Sequence, residues 1–289
     1  MSSYKKNINE YKNYLQLEIG LTKNTVEAYI ADISKFISYI EKNKISETNF
    51  LDYNKELKNI GIAATTRIRY QSSIISFLKW LIQEKNAKYD IDKYKFTIKK
   101  ESTLPDVLST NEIMHMMASF DRDTLMGIRN SLVIEALYST GCRVSELCDL
   151  KISDIDFHEK TIKLLGKGRK ARIVPLGTHL ETKIEKYLNI RGEHNIKSSY
   201  LILSKSNKKI ERTAIGRIIK KSLLSTSIET NVHPHTLRHS SATHMLEGGC
   251  GIRFVQQFLG HSSISTTQIY TKISQQHLHE VFKEAHPRS

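Results

Sequence analysis

Residues 233–246 read HPHTLRHSSATHML and place four histidines and one arginine within fourteen residues. His235 and His239 are four positions apart, a spacing at which two imidazoles on one helix face can bind a metal ion. The HExxH pattern of zinc proteases is absent, because Thr236 stands where glutamate is required. No cysteine or carboxylate cluster adjoins the stretch, which disfavours a metal site. A structural histidine cluster and a phosphate clamp remain as alternatives, and the rest of the chain must distinguish them.

Groups suited to holding a phosphate recur through the second half of the chain. They are Arg143, Lys167, His235, Arg238, His261 and Tyr270. Arginine is permanently charged and can bind two phosphate oxygens at once, and such donors stabilise the charge that develops on a phosphodiester during displacement. A tyrosine activated by clustered positive charge would be the nucleophile, and a hairpin lysine the general acid. Each residue alone is also typical of a core, turn or helix-cap position, so the hypothesis depends on their combination.

The composition indicates a globular protein with a polyanionic partner. The chain has 289 residues, of which 39% are hydrophobic, and its formal net charge of +14 favours nucleic acid. An AT-rich genome, which encodes many lysines, is the alternative explanation for the charge. Three cysteines without a CxxC pair, no signal-peptide pattern and no long apolar run predict a cytoplasmic protein without a membrane segment.

The first hundred residues predict a bundle of four helices, with Asn24 or Thr25 as the cap of the second and Ser46 or Thr48 as the cap of the third. Polar and basic residues cluster at the start of the fourth predicted helix. They are Thr65, Thr66, Arg67, Arg69 and Gln71. Such groups either bind DNA phosphates or form an ordinary solvated helix face.

The periodic pattern fades after the fourth helix, and this predicts two domains. We expect a helical domain over 1–88, a linker over 89–108 and a second domain over 109–289. The second domain should begin with a helix capped by Ser109 or Thr110 and contain short strands. The expected strands are 152–157, 161–165 and 171–175. The predicted fold class is therefore mainly α with a small antiparallel β-sheet (α+β).

Several motifs together resemble the tyrosine recombinases, also called the integrase family, and in particular their compact Xer-like branch. They are STGCRVSEL (139–147), GKGRKARIVPLG (166–177), HPHTLRHSSATHML (233–246), FLGHSSISTTQIYT (258–271) and the final HPRS (286–289). The resemblance covers nearly the whole chain and is strongest from about residue 105 onward.

The resemblance implies a mechanism. Tyr270 would attack a DNA phosphate to form a 3′-phosphotyrosyl link and release a 5′-hydroxyl, without metal, ATP or another cofactor. The catalytic set would be Arg143, Lys167, His235, Arg238, His261 and Tyr270. Glu146 would orient a neighbouring catalytic group by hydrogen bonding.

The resemblance also implies an architecture and partners. A core-binding domain and a catalytic domain would form a C-shaped clamp on double-stranded DNA with paired inverted core sites. A C-terminal segment over 275–289 would dock onto a neighbouring protomer in a tetrameric synapse, whereas the free protein would be a monomer or dimer. Accessory DNA-bending or activating proteins are further possible partners. Chromosome-dimer resolution, transposon-cointegrate resolution and mobile-element integration or excision all fit this layout. A type IB topoisomerase-like enzyme and a non-catalytic DNA-binding regulator are the alternatives.

Overall fold

The computed structural model describes residues 2–40, 43–98, 107–166, 171–226, 228, 230, 232–260 and 275–289. The chain divides into two compact units, Met1–Thr103 and Leu104–Ser289. Helices predominate in both, and a small antiparallel sheet lies in the second. The predicted fold class, mainly α with a small antiparallel sheet, is confirmed.

The described residues of the first unit form four α-helices around an aromatic core. They are α1 (Ser2–Leu17), α2 (Lys23–Tyr39), α3 (Glu47–Asn59) and α4 (Ala64–Lys85). The rings of Phe77 and Trp80 stack with centroids 5.9 Å apart, and the Tyr11 ring packs against both. This aromatic burial supplies much of the stabilisation of so small a core.

The N-caps of two of these helices can be compared with those predicted from the sequence. The Ser46 hydroxyl accepts a hydrogen bond from the Asn49 backbone N–H at 3.2 Å, as predicted for α3. The caps predicted for α2, Asn24 and Thr25, were wrong. The helix begins earlier, at Lys23, because Thr22 has extended backbone and its carbonyl accepts the first helical bond. Both predicted residues therefore lie in the first turn.

The stretch assigned to a linker begins inside the first unit. A 3-10 helix, Ile91–Tyr94, follows α4, and Tyr94 is buried with its ring 5.4 Å from that of Phe50. Part of the expected linker, 99–106, lies outside the described residues. The domain limits predicted from the sequence stay predictions.

The second unit is organised around a buried central helix. Its helices are α5 (Thr110–Ala118), α6 (Leu125–Ser139), α7 (Val144–Asp149), α8 (Thr178–Glu193), α9 (Arg212–Leu223), α10 (Pro234–Glu247), α11 (Ile252–Leu259) and α12 (Gln275–Ala285). Nearly every side chain of α6 is buried, and α5, α8, α9 and α10 all pack against it. Ser109 and Glu112 form the capping box expected at the start of α5. No helix in the described part of the chain could cross a membrane.

The sheet of the second unit has the order β1-β2-β3 and is antiparallel throughout. Its strands are β1 (Ile155–Asp156), β2 (Thr161–Leu165) and β3 (Ala171–Pro175). The strand expected over 152–157 is shorter, because Ile152–Asp154 form a 3-10 turn in which the Asp154 carboxylate accepts a bond from the Lys151 N–H. In the register of β2 and β3, Ile162 pairs with Val174, and both are buried.

The C-terminal segment docks on the unit to which it belongs. Helix α12 packs against α10 and β3, and Phe282 stacks on His286 with centroids 4.7 Å apart. Beyond the helix, Arg288 donates to the carboxylate of the buried Glu135 on α6. The predicted docking of 275–289 onto a neighbouring protomer stays a prediction.

Candidate active site

Arg143 is placed by a sharp turn between α6 and α7. Gly141 has a positive φ of 53°, and a Cβ there would lie 2.9 Å from side-chain atoms of both Leu259 and Phe258. Only glycine therefore lets the chain turn this close to α11. Arg143 occupies the N-cap position of α7 and keeps a side chain 36% exposed, so its guanidinium is accessible to a ligand.

Glu146 lies beneath Arg143 and is almost completely buried. Its carboxylate accepts the backbone N–H of Arg143 at 2.8 Å and the Arg143 Nη1 at 2.9 Å. It also accepts both terminal nitrogens of Arg172, at 2.8 and 2.7 Å. Burial alone would raise the pKa of Glu146, but the bonds and charges of the two arginines lower it below its ordinary value. The carboxylate is therefore ionised near neutral pH.

Arg238 lies on α10 with a buried side chain. Its Nη1 donates to the Gly141 carbonyl and its Nη2 to the Leu259 carbonyl, the latter at 2.6 Å. Burial, followed by the positive charges of Arg143 and Arg172, lowers the pKa of Arg238 to about 10. The guanidinium is still protonated near neutral pH, so two charged arginines lie beside the same turn.

Three arginines converge on the C-terminal end of α11. Arg172 Nε donates to the Phe258 carbonyl at 2.8 Å, Arg238 Nη2 to that of Leu259, and Arg143 Nη2 to that of Gly260 at 3.3 Å. The last carbonyls of a helix lack helical partners and form the negative end of its dipole. Guanidinium groups satisfy them here, and the chain continues directly to His261.

The four histidines of 233–246 have different surroundings. His233 is the N-cap of α10, where its Nδ1 accepts the Thr236 N–H at 3.2 Å. His239 is exposed, and His244 Nδ1 hydrogen-bonds the Tyr138 hydroxyl at 2.8 Å. Pro234 is the first residue of α10, so His235 lies in its first turn rather than before the helix. Among the residues that the structure describes, no group of three metal-ligating side chains is found.

His235 lies close enough to Arg143 and Arg238 to interact with their charges. Partial burial lowers its pKa below the ordinary value, and the charges of His233, Arg238 and Arg143 lower it further. A lowered pKa keeps the imidazole mostly neutral near neutral pH. In that form the ring can accept a proton or donate its own N–H.

The structure thus brings together Arg143, Glu146, Arg238 and His235. Lys167, His261 and Tyr270 lie outside the described residues. The flanking backbone is described: β2 and β3, on either side of Lys167, pair as far as Leu165 and Ala171.

The polar cluster on α4 in the first unit splits into two groups. Arg69 pairs with the buried Asp32, and the Gln71 amide nitrogen donates to the carbonyls of Tyr94 and Phe96, each at 3.1 Å. Thr65, Thr66 and Arg67 occupy the first turn, where Thr65 is exposed and the other two are half-buried. Arg67 also donates from Nε to the Ile62 carbonyl at 3.2 Å.

Arg172 is the residue that the sequence reasoning missed. It lies in the quoted motif GKGRKARIVPLG, yet nothing in its spacing distinguishes it from the other basic residues there. One signal was available, because Arg172 alternates with Ala171 and Ile173 on a strand and so faces the same side as the core residue Val174. An arginine on the inward side of a strand requires a buried anionic or carbonyl partner.

Comparison with known proteins identifies the family of the chain. The phage integrase family matches residues 106–277, and its N-terminal SAM-like domain matches residues 8–85. The tyrosine recombinase XerD of Staphylococcus saprophyticus is 37% identical, covering 98% of this chain and 99% of that protein. The chain belongs to the phage integrase family.

Two solved structures extend the likeness to the fold. XerH recombinase, bound to palindromic difH in a post-cleavage complex, superposes with a TM-score of 0.67 at 26% identity, covering 88% of this chain and 78% of that one. A lambda integrase tetramer bound to a Holliday junction gives 0.72 at 18% identity, covering 91% and 78% respectively, and shows the fold alone. The chain is therefore a site-specific tyrosine recombinase, an enzyme that transfers DNA strands, as expected from the sequence. Neither the topoisomerase-like nor the regulator alternative is favoured.

Proposed function

We propose that this chain cleaves and rejoins DNA through a 3′-phosphotyrosyl link to Tyr270, with Arg143, His235 and Arg238 holding the phosphate. The observation that carries the proposal is the convergence of Arg143 and Arg238 on the carbonyls of Leu259 and Gly260, immediately before His261. Two charged guanidinium groups fixed at one turn form an oxyanion site that needs little reorganisation.

The proposed reaction is balanced at each atom. The Tyr270 phenol oxygen forms a bond to phosphorus and loses its proton to a neutral histidine, a role that the lowered pKa of His235 suits. The bond from phosphorus to the 5′-oxygen breaks, and Lys167 supplies the proton for that leaving group. A 5′-hydroxyl from a partner strand then attacks the phosphotyrosine, reversing both proton transfers. His261 contributes an N–H donor to the phosphate, and no cofactor enters these steps.

The proposed partner is double-stranded DNA with paired inverted core sites. A net charge of +14 supports a long phosphate contact. The DNA-bound XerH structure supports DNA as the partner, and the lambda integrase tetramer on a Holliday junction supports a tetramer in the synapse. The process served is chromosome-dimer resolution, transposon-cointegrate resolution, or integration and excision of a mobile element, with accessory proteins controlling direction.

Within the first unit, the proposed DNA contacts fall on the start of α4. Thr65, Thr66 and Arg67 lie in the first turn, where free backbone N–H groups attract phosphates. Arg69 and Gln71 keep a subsidiary place in this proposal, because their side chains already bind Asp32 and the carbonyls of Tyr94 and Phe96.

A cleavage assay on a nicked duplex tests the proposal. The duplex is drawn from segments flanking the chain's own gene, and the nick lets the short 5′ fragment escape and trap the covalent complex. We expect a shifted band on a denaturing gel for the wild type and for Tyr200→Phe, a control in the same unit, and none for Tyr270→Phe. A covalent band from Tyr270→Phe would overturn the assignment of the nucleophile. Relaxation of supercoiled plasmids lacking any site would favour a topoisomerase instead.

A further inference from the structure

Arg172 is a buried cation with no access to solvent-borne substrate. Its side chain is 5% exposed and is held by Glu146 at two points and by the Phe258 carbonyl at a third. Its Nε, Nη1 and Nη2 all donate to groups of the protein itself, so Arg172 is not assigned to the DNA phosphate. Any effect on the reaction must pass through the groups that it touches.

Glu146 is shared between two arginines, but unequally. Arg172 binds both carboxylate oxygens from a buried position, whereas the Arg143 guanidinium binds only one, through Nη1. Bidentate pairs between arginine and carboxylate are stronger and more directional than single bonds. The negative charge of Glu146 is therefore balanced chiefly by Arg172, and Arg143 keeps net positive charge for a ligand.

We infer that Arg172 is a positioning residue for the recombination reaction. It neutralises Glu146, so that Arg143 remains available to the scissile phosphate. It also fixes the last turn of α11, which leads to His261. The inference rests on the proposed function, because it assigns Arg143 to the phosphate.

The charges around the turn predict the effect of removing Arg172. Arg143, Arg172, Arg238 and Glu146 together carry a net charge of +2 when all are ionised. In Arg172→Met the net charge falls to +1, and Glu146 is free to bind Arg143 with both oxygens. In the double variant Arg172→Met/Glu146→Gln the charge returns to +2, and this competition for Arg143 is removed. A purely structural role for Arg172 predicts that the double variant recovers thermal stability alone, because the unpaired buried charge of Glu146 is gone. A positioning role predicts that the cleavage rate of the folded protein also recovers.

Two readouts measure this effect. The first is single-turnover cleavage of the nicked duplex at saturating DNA, with DNA affinity measured separately. We expect Arg172→Met to cleave about 10–100-fold more slowly, as is common for residues that orient a catalytic group, with DNA affinity unchanged. Where Arg172→Met loses more than about tenfold in rate, the double variant should cleave at least about tenfold faster than Arg172→Met. Arg172→Lys, which keeps the charge and folds most conservatively, should cleave faster than Arg172→Met.

Arg191→Met is the matched control. Arg191 is a buried arginine of the same unit that donates to the carbonyls of Ser198, Tyr200 and Leu201 and does not touch Glu146. It should lower thermal stability without slowing the cleavage step of the folded protein. An equal loss of rate in Arg191→Met, or a double variant no faster than Arg172→Met, would overturn the inference.

The second readout does not require cleavage. Inorganic phosphate is titrated into protein labelled with ¹⁵N-arginine, and the Nε–H signal of Arg143 is assigned with Arg143→Lys. We expect phosphate to shift this signal in the wild type, more weakly in Arg172→Met, and again strongly in the double variant. Equal phosphate affinity in the wild type and Arg172→Met would overturn the inference even if the wild type cleaves DNA. Absence of Tyr270-dependent cleavage, with the phosphate pattern as expected, would instead contradict the proposed function alone.

Discussion

Replacing Arg288 with methionine removes the cation that anchors the C-terminal tail. Arg288 Nη2 and Nε donate to the two carboxylate oxygens of Glu135, at 2.8 and 3.2 Å. Glu135 is completely buried on α6 and also accepts the Ser139 hydroxyl at 2.6 Å, with Lys183 Nζ at 4.0 Å. The substitution therefore leaves a buried carboxylate with only one hydrogen bond and one distant cation among these groups.

The expected cost follows from those contacts. Removing one partner of a buried ion pair costs about 3–5 kcal/mol. Ser139 and Lys183 remain in place, so we expect the free energy of unfolding of the second unit to fall by about 2–3 kcal/mol. For a unit of this size the transition temperature should fall by about 4–12 °C.

The pH dependence has a definite sign. Burial would raise the pKa of Glu135, but the hydrogen bond and charge of Arg288, with Ser139 and Lys183, lower it below its ordinary value. A depressed carboxyl pKa contributes stability above the unfolded pKa, and that stability is lost as the pH falls through the folded pKa. The difference in the free energy of unfolding between wild type and Arg288→Met should therefore be largest near neutral pH and become smaller in acid.

Calorimetry measures the effect. Fluorescence of Trp80, the single tryptophan, reports unfolding of the first unit, so it shows which calorimetric transition belongs to each unit. Glu135→Gln combined with Arg288→Met should recover most of the loss, because the buried charge is gone, and the exposed Arg217→Met should change little. A loss below about 0.5 kcal/mol in Arg288→Met, the range of ordinary surface changes, would refute the reasoning.

Three further outcomes are expected. Burial lowers the pKa of His286 to about 4, so the wild type should lose stability as the pH falls from the ordinary histidine value towards that pKa. His286→Gln should lose less stability over the same range, and equal slopes of melting temperature against pH in the two proteins would contradict this. Gly260→Ala places a side chain at a φ of 65°, with its Cβ 2.9 Å from Arg172 Cδ. This variant should destabilise the protein by about 1–2 kcal/mol and slow cleavage. The control Gly192→Ala, which has open space around its Cβ, should do neither. Arg67→Ala should reduce the slope of log Kd against log salt by about one, and Lys12→Ala, exposed on α1, should leave it unchanged.

The sequence predicts those features that depend on neighbours along the chain. Ser46 and Ser109 cap their helices as expected, because a cap and the N–H group it binds are only three residues apart. Errors arose where two local signals competed. Thr22 rather than Asn24 or Thr25 is the N-cap of α2.

The partners of charged residues could not be read from spacing. Arg172 lies 26 positions from Glu146, and Arg288 lies 153 positions from Glu135. Many basic residues in the chain are equally far from an acid, and only the packing of β3 against α11, or of the tail against α6, selects one pair. The motifs predict the arginines that we propose to bind phosphate, whereas the residues that contact these arginines could be found only from the fold.

The central claim is that Tyr270 becomes covalently attached to DNA. The most direct measurement is mass spectrometry of the complex trapped on the nicked duplex in EDTA, after digestion with trypsin and nuclease. We expect a nucleotide 3′-phosphate to be attached to the phenol oxygen of Tyr270. Attachment at any other residue, or a trapped complex that forms equally well in Tyr270→Phe, would contradict it.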